Sequence, residues 1–319
     1  MAITSDVETP PRTAAAGWER GLWCLAAVVL TAQQADPSLT RAAADVLGAA
    51  ALDTAGSPVP EVIENVAALK ASLLQAAGLV GAQRFDWLQQ SDEALLAQGH
   101  ASAVGAAPMV GHLLPALGDL LARLATPGAQ LLDVGTGVGA LAVAFAERLP
   151  AVTVTGIDVS DRVLELARAT RAASQVADRV QLRLQDVAAL TERDHYDLVW
   201  LPASFLPPSA LHAGVQRAAA ALRPDGWVVL GHGKLHGEPL DVALTRLKTL
   251  AYGGTALSDS EAQDLLTHAG LDRVATITTP HEAPAITVGH RPEPTGGTID
   301  AIPAHGDGTE RRASAGRSR

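Results

Sequence analysis

Through the first hundred residues apolar positions recur every three to four places. Val62, Val66, Leu69, Leu73 and Leu74 fall at this spacing inside Pro60–Ala77, which gives a helix one buried face. The same pattern predicts helices over Trp18–Ala35 and Leu39–Ala51, and a further one over Asp92–Gln98. Gly78 follows the third run as its C-cap. Residues 17–104 therefore read as a mainly helical domain. A helix over Val110–Ala125 then leads to Pro127-Gly128, a natural entry to a strand.

From Ala129 the texture changes to short apolar runs alternating with amphipathic ones. Strands are expected at Gln130–Val134, Val152–Asp158, Val180–Leu184, Tyr196–Leu201 and Trp227–Gly231. Helices fall between and after them, at Ala140–Arg148, Arg162–Ser174, Ser209–Leu222, Leu240–Ala251 and Ser258–Ala269. Ser258 and Glu261 have the spacing of a capping box. Arg273–Thr278 and Ala285–Gly289 flank a Pro/His/Glu turn and read as a terminal hairpin. Regular strand–helix alternation implies right-handed crossovers and a doubly wound, mostly parallel sheet over residues 105–291. Residues 1–16 and 292–319 lack periodicity and are expected to be disordered.

Composition narrows the function. The net charge of −10 argues against a nucleic-acid backbone or an anionic membrane as partner. The single cysteine, Cys24, cannot form an internal disulfide and suits a reducing cytoplasm. The most apolar run, Leu22–Thr31, is too short to span a bilayer.

The chemistry concentrates in LLDVGTGVGA, residues 131–140. Gly135 and Gly137 permit backbone dihedrals closed to other residues and let a ligand lie against the main chain, while Gly139 permits close helix packing. In an open α/β sheet such a turn sits at the ligand-binding switch point. GTGVGA also fits the loose dinucleotide pattern, so the turn alone does not separate NAD from other ligands. Three carboxylates follow the strands: Asp133, Asp158 in TGIDVS and Asp186 in LQDVAAL. A pyrophosphate needs the glycine loop and a helix N-terminus. A ligand with an amino acid, a ribose and an adenine would use all three carboxylates.

The series LLDVGTGVGALAVAFAERLP, GIDVS, QDVAAL, YDLVWLPASFL and LRPDGWVVLG resembles the motifs of class I S-adenosylmethionine (SAM)-dependent methyltransferases in order and spacing. The resemblance implies a seven-stranded sheet with its last strand antiparallel. It implies that Asp133, Gly135, Thr136, Gly137 and Gly139 face the methionine part of SAM, and that Asp158 holds the ribose with Val159 against the adenine. Asp186 and Val187 would meet the adenine, and Leu201 and Pro202 would line the methyl side. ENVAALKASLLQAAGLV and FDWLQQSDEALLAQG are similar to the winged-helix-like dimerisation domain of small-molecule O-methyltransferases, which implies a homodimer and a small-molecule acceptor.

One departure is plain. Where those O-methyltransferases carry a His-Asp pair, this chain has Phe205-Leu206-Pro207-Pro208. Replacement bases are His232 and His236, which flank Lys234 after the fifth strand. These two histidines lack a third ligand, so no metal is expected. His100 in AQGHASA and Phe205 are the candidate substrate-lining residues. The expected function is methyl transfer from SAM to an N, C, S or O nucleophile. The alternatives are a SAM binder of cyclase-type or regulatory role and an NAD-dependent oxidoreductase, the latter disfavoured because no Tyr-x-x-x-Lys pair is present.

Overall fold

The computed structural model describes Leu22 and residues 25–32, 37–49, 59–82, 87–279 and 284–293. Both expected tails, apart from residues 292–293, and the start of the first expected helix lie outside them. Residues 25–32 are helical, followed by α1 (Pro37–Ala49), α2 (Val59–Ala82) and α3 (Asp92–Val104). Ser91 caps α3 by accepting from Ala94 N at 3.2 Å, and Asp92 and Glu93 complement the dipole of its first turn.

Two glycines in this region do work other than termination. α2 runs past Gly78, where an added Cβ would lie 2.8 Å from Gln90 Oε1, so this glycine admits a neighbouring side chain rather than capping the helix. α3 likewise runs past Gly99, whose missing side chain leaves room for Val138. The helix expected over Val110–Ala125 is interrupted. Met109–Leu113 forms a π turn, Leu114–Ala116 a 3-10 turn, and the α-helix resumes only as α4 (Leu120–Leu124). Pro115 has no N–H to give the preceding turn, and Gly118 takes a φ of +65°.

The sheet comprises β1 (Ala129–Val134), β2 (Val152–Asp158), β3 (Val180–Leu184), β4 (Tyr196–Pro202), β5 (Leu222–His232), β6 (Asp272–Ile277) and β7 (Ala285–His290). Their order is β3-β2-β1-β4-β5-β7-β6, with β7 antiparallel to both neighbours. This is the doubly wound, seven-stranded sheet expected from the sequence. β5 begins earlier than expected because Asp225, at a φ of +61°, sits in an irregularity that shifts the register between Tyr196 and Leu198.

Successive strand residues point to opposite faces, and both faces are covered. Leu131, Leu198, Trp200 and Val229 pack beneath α4 and α5 (Ala140–Arg148). Leu132, Val199, Leu201 and Leu230 pack against α7 (Pro208–Ala221) and α9 (Asp259–His268). α6 (Asp161–Ala173) follows β2, and α8 (Pro239–Ala251) precedes α9. The capping box closes as its spacing indicates: Ser258 Oγ accepts from Glu261 N, and Glu261 accepts from Ser258 N. At the opposite end of the sheet from the glycine turn, Asp197 is buried and accepts from Arg123, Arg223 and Gln130 N, so its charge is fully paired. Among the described residues no helix is long and apolar enough to cross a membrane.

Gly231 marks how tightly this sheet is covered: a Cβ there would lie 2.4 Å from the Trp200 ring, whereas one at Gly111 meets nothing within 4 Å. Gly231→Ala is expected to lose about 1–3 kcal/mol of unfolding free energy. Gly111→Ala should stay within about 0.5 kcal/mol of the parent. Urea denaturation of the two variants checks the contrast.

Candidate functional site

The turn between β1 and α5 is built on three left-handed glycines, Gly135, Gly137 and Gly139, at φ of +63°, +57° and +75°. Gly139 is required for space as well, since its Cβ would lie 3.2 Å from that of Ala167 on α6. At Gly137 a Cβ would meet only Gly135 O, at 4.0 Å. Glycine there serves the backbone conformation, and the main chain lies open to a ligand.

Two carboxylates hold the turn. Thr136 donates its hydroxyl to Asp133 Oδ2 at 2.7 Å, and its N–H to Ile157 O at 3.0 Å. This hydroxyl is seated over Gly156, where a Cβ would lie only 2.6 Å from Thr136 Oγ1. Asp158 accepts from Gly137 N through Oδ2 and from Ser160 N through Oδ1, both at 3.0 Å. Burial pushes the Asp133 carboxyl up to about 7, against the Thr136 hydrogen bond and with a small push from Asp158. Asp158 is also raised, chiefly by burial, with the Ser160, Gly137 and Val159 N–H groups opposing.

An apolar edge adjoins these carboxylates. Val159 is 65% exposed, and Leu184, paired with Asp158 across the β2–β3 ladder, is 58% exposed. Asp186 caps the next turn through Ala188 N at 2.8 Å and remains exposed. On the other side Pro202, at the end of β4, stands against Gly135. The turn thus offers an open main chain, a pair of carboxyl groups, and apolar surface on the β3 side. That set fits the chemistry of a nucleoside carrying a cationic amino acid.

Residues 131–226 match the family described as "Methyltransferase domain". The chain is 34% identical over 126 residues to a carboxy-S-adenosyl-L-methionine synthase of Chromohalobacter salexigens, covering 39% of this chain and 47% of that protein. It is 34% identical over 150 residues to the 27-O-demethylrifamycin SV methyltransferase of Amycolatopsis mediterranei, covering 46% and 54%. The chain thus spans about half the length of these curated relatives. The fold aligns with the pyocyanin biosynthetic protein PhzM at a TM-score of 0.59 and 18% identity, over 88% of this chain and 97% of that one. Residues 131–226 carry a methyltransferase domain, and the chain resembles the class I SAM-dependent methyltransferases. Its cofactor is SAM.

Several residues singled out in the sequence of this methyltransferase sit elsewhere than expected. Val187 is buried, turned into the core against Gly214 of α7 rather than toward an adenine. Leu201 is fully buried in the same core, so only its main chain is available to the methyl side. His232 is completely buried at the end of β5. Its Nε2 lies 2.9 Å from Thr287 Oγ1 and its Nδ1 3.3 Å from Gly233 O. Burial holds its imidazole below the usual range, so it is neutral and already partnered, and it is not placed to serve as a base. His236 is exposed on the following loop, 3.6 Å from Asp259. His100 is exposed on the outer face of α3 and lines a cavity of about 620 Å³ with Lys70 and Glu93, on the side of α3 away from the glycine turn. Among the described residues no group of three or more His, Cys, Asp and Glu could hold a metal.

Phe205 lies in the turn after β4, half-buried, as one member of an aromatic cluster. It stacks on Tyr252 at 4.9 Å and 12°, and Trp87 leans on both rings at 5.5 and 5.4 Å. Trp200 and Met109 pack into the core and take no part in this cluster. Tyr252 was not identifiable from any motif, because it sits in a loop whose position depends on tertiary contacts. Thr255 fixes that loop by donating its N–H to Ala203 O at 2.9 Å and its hydroxyl to Leu206 O at 2.7 Å.

The raised Asp133 has a consequence for stability. The unfolded chain releases this proton near the ordinary carboxyl value of 3.8, while the folded chain keeps it until about pH 7. Between these values the folded state binds more protons, so stability contributed by this position falls as pH rises and levels off above about 7. Asp133→Asn is therefore expected to gain in Tm relative to the parent as pH rises from 5 to 8. A pH-independent difference in thermal scans would contradict the assigned ionisation.

Proposed function

We propose that this chain transfers a methyl group from SAM to a small-molecule acceptor bound beside Phe205. One observation carries the reading: an open, left-handed glycine turn held between the buried Asp133 and the half-buried Asp158, with the Pro202–Phe205 segment facing it from β4. In this assignment Asp133 and the main chain from Gly135 to Gly139 hold the methionine part and Asp158 takes the ribose hydroxyls. Val159, Leu184 and Asp186 edge the adenine. Bound SAM supplies an already activated methyl on a sulfonium. The chain's part is then to align the acceptor nucleophile in line with that methyl and to keep water out.

The acceptor side contains Trp87, Phe205 and Tyr252 where the resemblance would place a His-Asp pair. With His232 locked to Thr287, this arrangement suits a nucleophile that attacks without strong base assistance, such as a neutral amine or an acidic enol. The same feature favours a second reading, that the protein binds SAM without transferring methyl. The name of the Chromohalobacter relative describes a synthase, not a methyltransferase.

Two copies are inferred to associate. Leu240, Leu244, Leu247 and Leu250 form an exposed stripe along α8, and Leu25, Leu39 and Val80 are exposed on the N-terminal helices. Stripes of this extent mark association surfaces. A cytoplasmic homodimer agrees with the acidic composition and single cysteine. Light scattering should give twice the chain mass for the parent and a shift toward one chain for Leu244→Glu/Leu247→Glu. An unshifted dimer would move the interface elsewhere.

Calorimetric titration with S-adenosylhomocysteine, and separately with NAD, tests the cofactor assignment. Binding of the first alone is expected, with Asp158→Ala weakening it at least tenfold, about 1.4 kcal/mol. Binding of NAD in its place would overturn the reading.

A further inference from the structure

The aromatic cluster at the acceptor side is tied to the N-terminal helices by one continuous chain of hydrogen bonds. Tyr252 donates its hydroxyl to Gln75 Oε1 of α2 at 2.6 Å. Gln75 Nε2 donates to Gln98 Oε1 of α3 at 2.6 Å, and Gln98 Nε2 donates to Ser102 Oγ at 3.2 Å. Burial pushes the Tyr252 phenol up to about 12, so the hydroxyl keeps its proton and has one to donate to Gln75. With the Gln75 oxygen toward Tyr252, its amide nitrogen faces the Gln98 oxygen, and the Gln98 nitrogen faces Ser102.

Gln75 is only 6% exposed, and α2 and α3 pack directly on each other around it. A buried amide is tolerated when both ends are satisfied, and it then permits one relative register of the elements that satisfy it. Here those elements are α2, α3 and the loop after α8. What that register positions is clear from the other faces of the same parts. Tyr252 is the ring on which Phe205 stacks. Trp87, between α2 and α3, covers both rings and also packs against the cluster of Leu95, Val138, Ala140 and Val163, in which Val138 belongs to the glycine turn. The aromatic wall therefore runs from the glycine turn to the turn after β4.

We propose that Gln75 and Tyr252 are positioning residues for the acceptor side of the cleft: their hydrogen bond, continued through Gln98 to Ser102, holds the Trp87–Phe205–Tyr252 wall at a fixed distance from the glycine turn. The inference rests on the methyltransferase reading for what the cleft is used for. It assigns no chemical step to either residue.

The test uses Tyr252→Phe, which removes only the hydroxyl, Gln75→Met, which keeps the length of the side chain, and the double variant. Each is made with Trp87 present and with Trp87→Phe, so that the difference isolates Trp87 fluorescence. The readouts are acrylamide quenching of that difference signal and the affinity for S-adenosylhomocysteine. Thermal unfolding first establishes that each variant is folded. Each single variant is expected to raise the Trp87 quenching constant at least threefold while the cofactor-product affinity stays within about twofold. The double variant should be no worse than either single one, because the chain is already broken. Unchanged quenching in a folded Tyr252→Phe protein, or additive effects in the double variant, would overturn the proposal. Failure of the parent protein to bind S-adenosylhomocysteine would instead overturn the methyltransferase reading beneath it, and the quenching result would still decide whether the chain positions the wall.

Discussion

The hydrogen bond from Gly137 N to the Asp158 carboxylate joins the ends of the first two strands and fixes the glycine turn between them. Much of the site follows from it. A left-handed glycine main chain has no side-chain contacts to hold its shape, so an external acceptor must select one conformation. Asp158 does this on one side, and the Thr136–Asp133 pair, seated over Gly156, does it on the other. Both carboxylates are largely withdrawn from water and raised toward neutrality. A cationic ligand would therefore find groups whose ionised forms gain from its arrival.

The next layer outward is helical. α3 lies on the turn through Leu95 and the gap left by Gly99, so the N-terminal helices are part of the same packed unit as the cofactor side. The proposed acceptor side is lined by residues drawn from three separate segments: Trp87, Phe205 and Tyr252. Covering a parallel sheet on both faces leaves the cleft beyond its carboxyl ends as the place for chemistry. That position is occupied here by an aromatic wall rather than by an obvious base.

How much of this could be read from the chain alone divides along physical lines. The strands and the crossover helices were legible because alternation and helical spacing are local properties, and the capping box at Ser258 was legible for the same reason. The helix over Val110–Ala125 was misjudged because its apolar spacing outweighed Pro115 and Gly118, which break the backbone. Gly78 looked like a terminus because glycine's role in admitting a neighbour depends on Gln90, which is distant in sequence. In the site, the glycine turn and its carboxylates announce themselves by spacing. The direction of Val187 and Leu201, and the locking of His232 onto Thr287, depend on how α7 and β7 pack, which no local pattern records. The aromatic wall was half visible: Phe205 follows a motif, but Tyr252 becomes relevant only when Thr255 ties its loop to the end of β4.

Diffraction from crystals grown with S-adenosylhomocysteine is the most direct test of the central claim, that the glycine turn places a SAM sulfur toward the acceptor wall. The account predicts the ribose on Asp158, the adenine at Val159 and Leu184, and the sulfur directed to the Pro202–Phe205 side. A ligand lying with its sulfur turned away from Phe205, or seated outside the glycine turn, would contradict it.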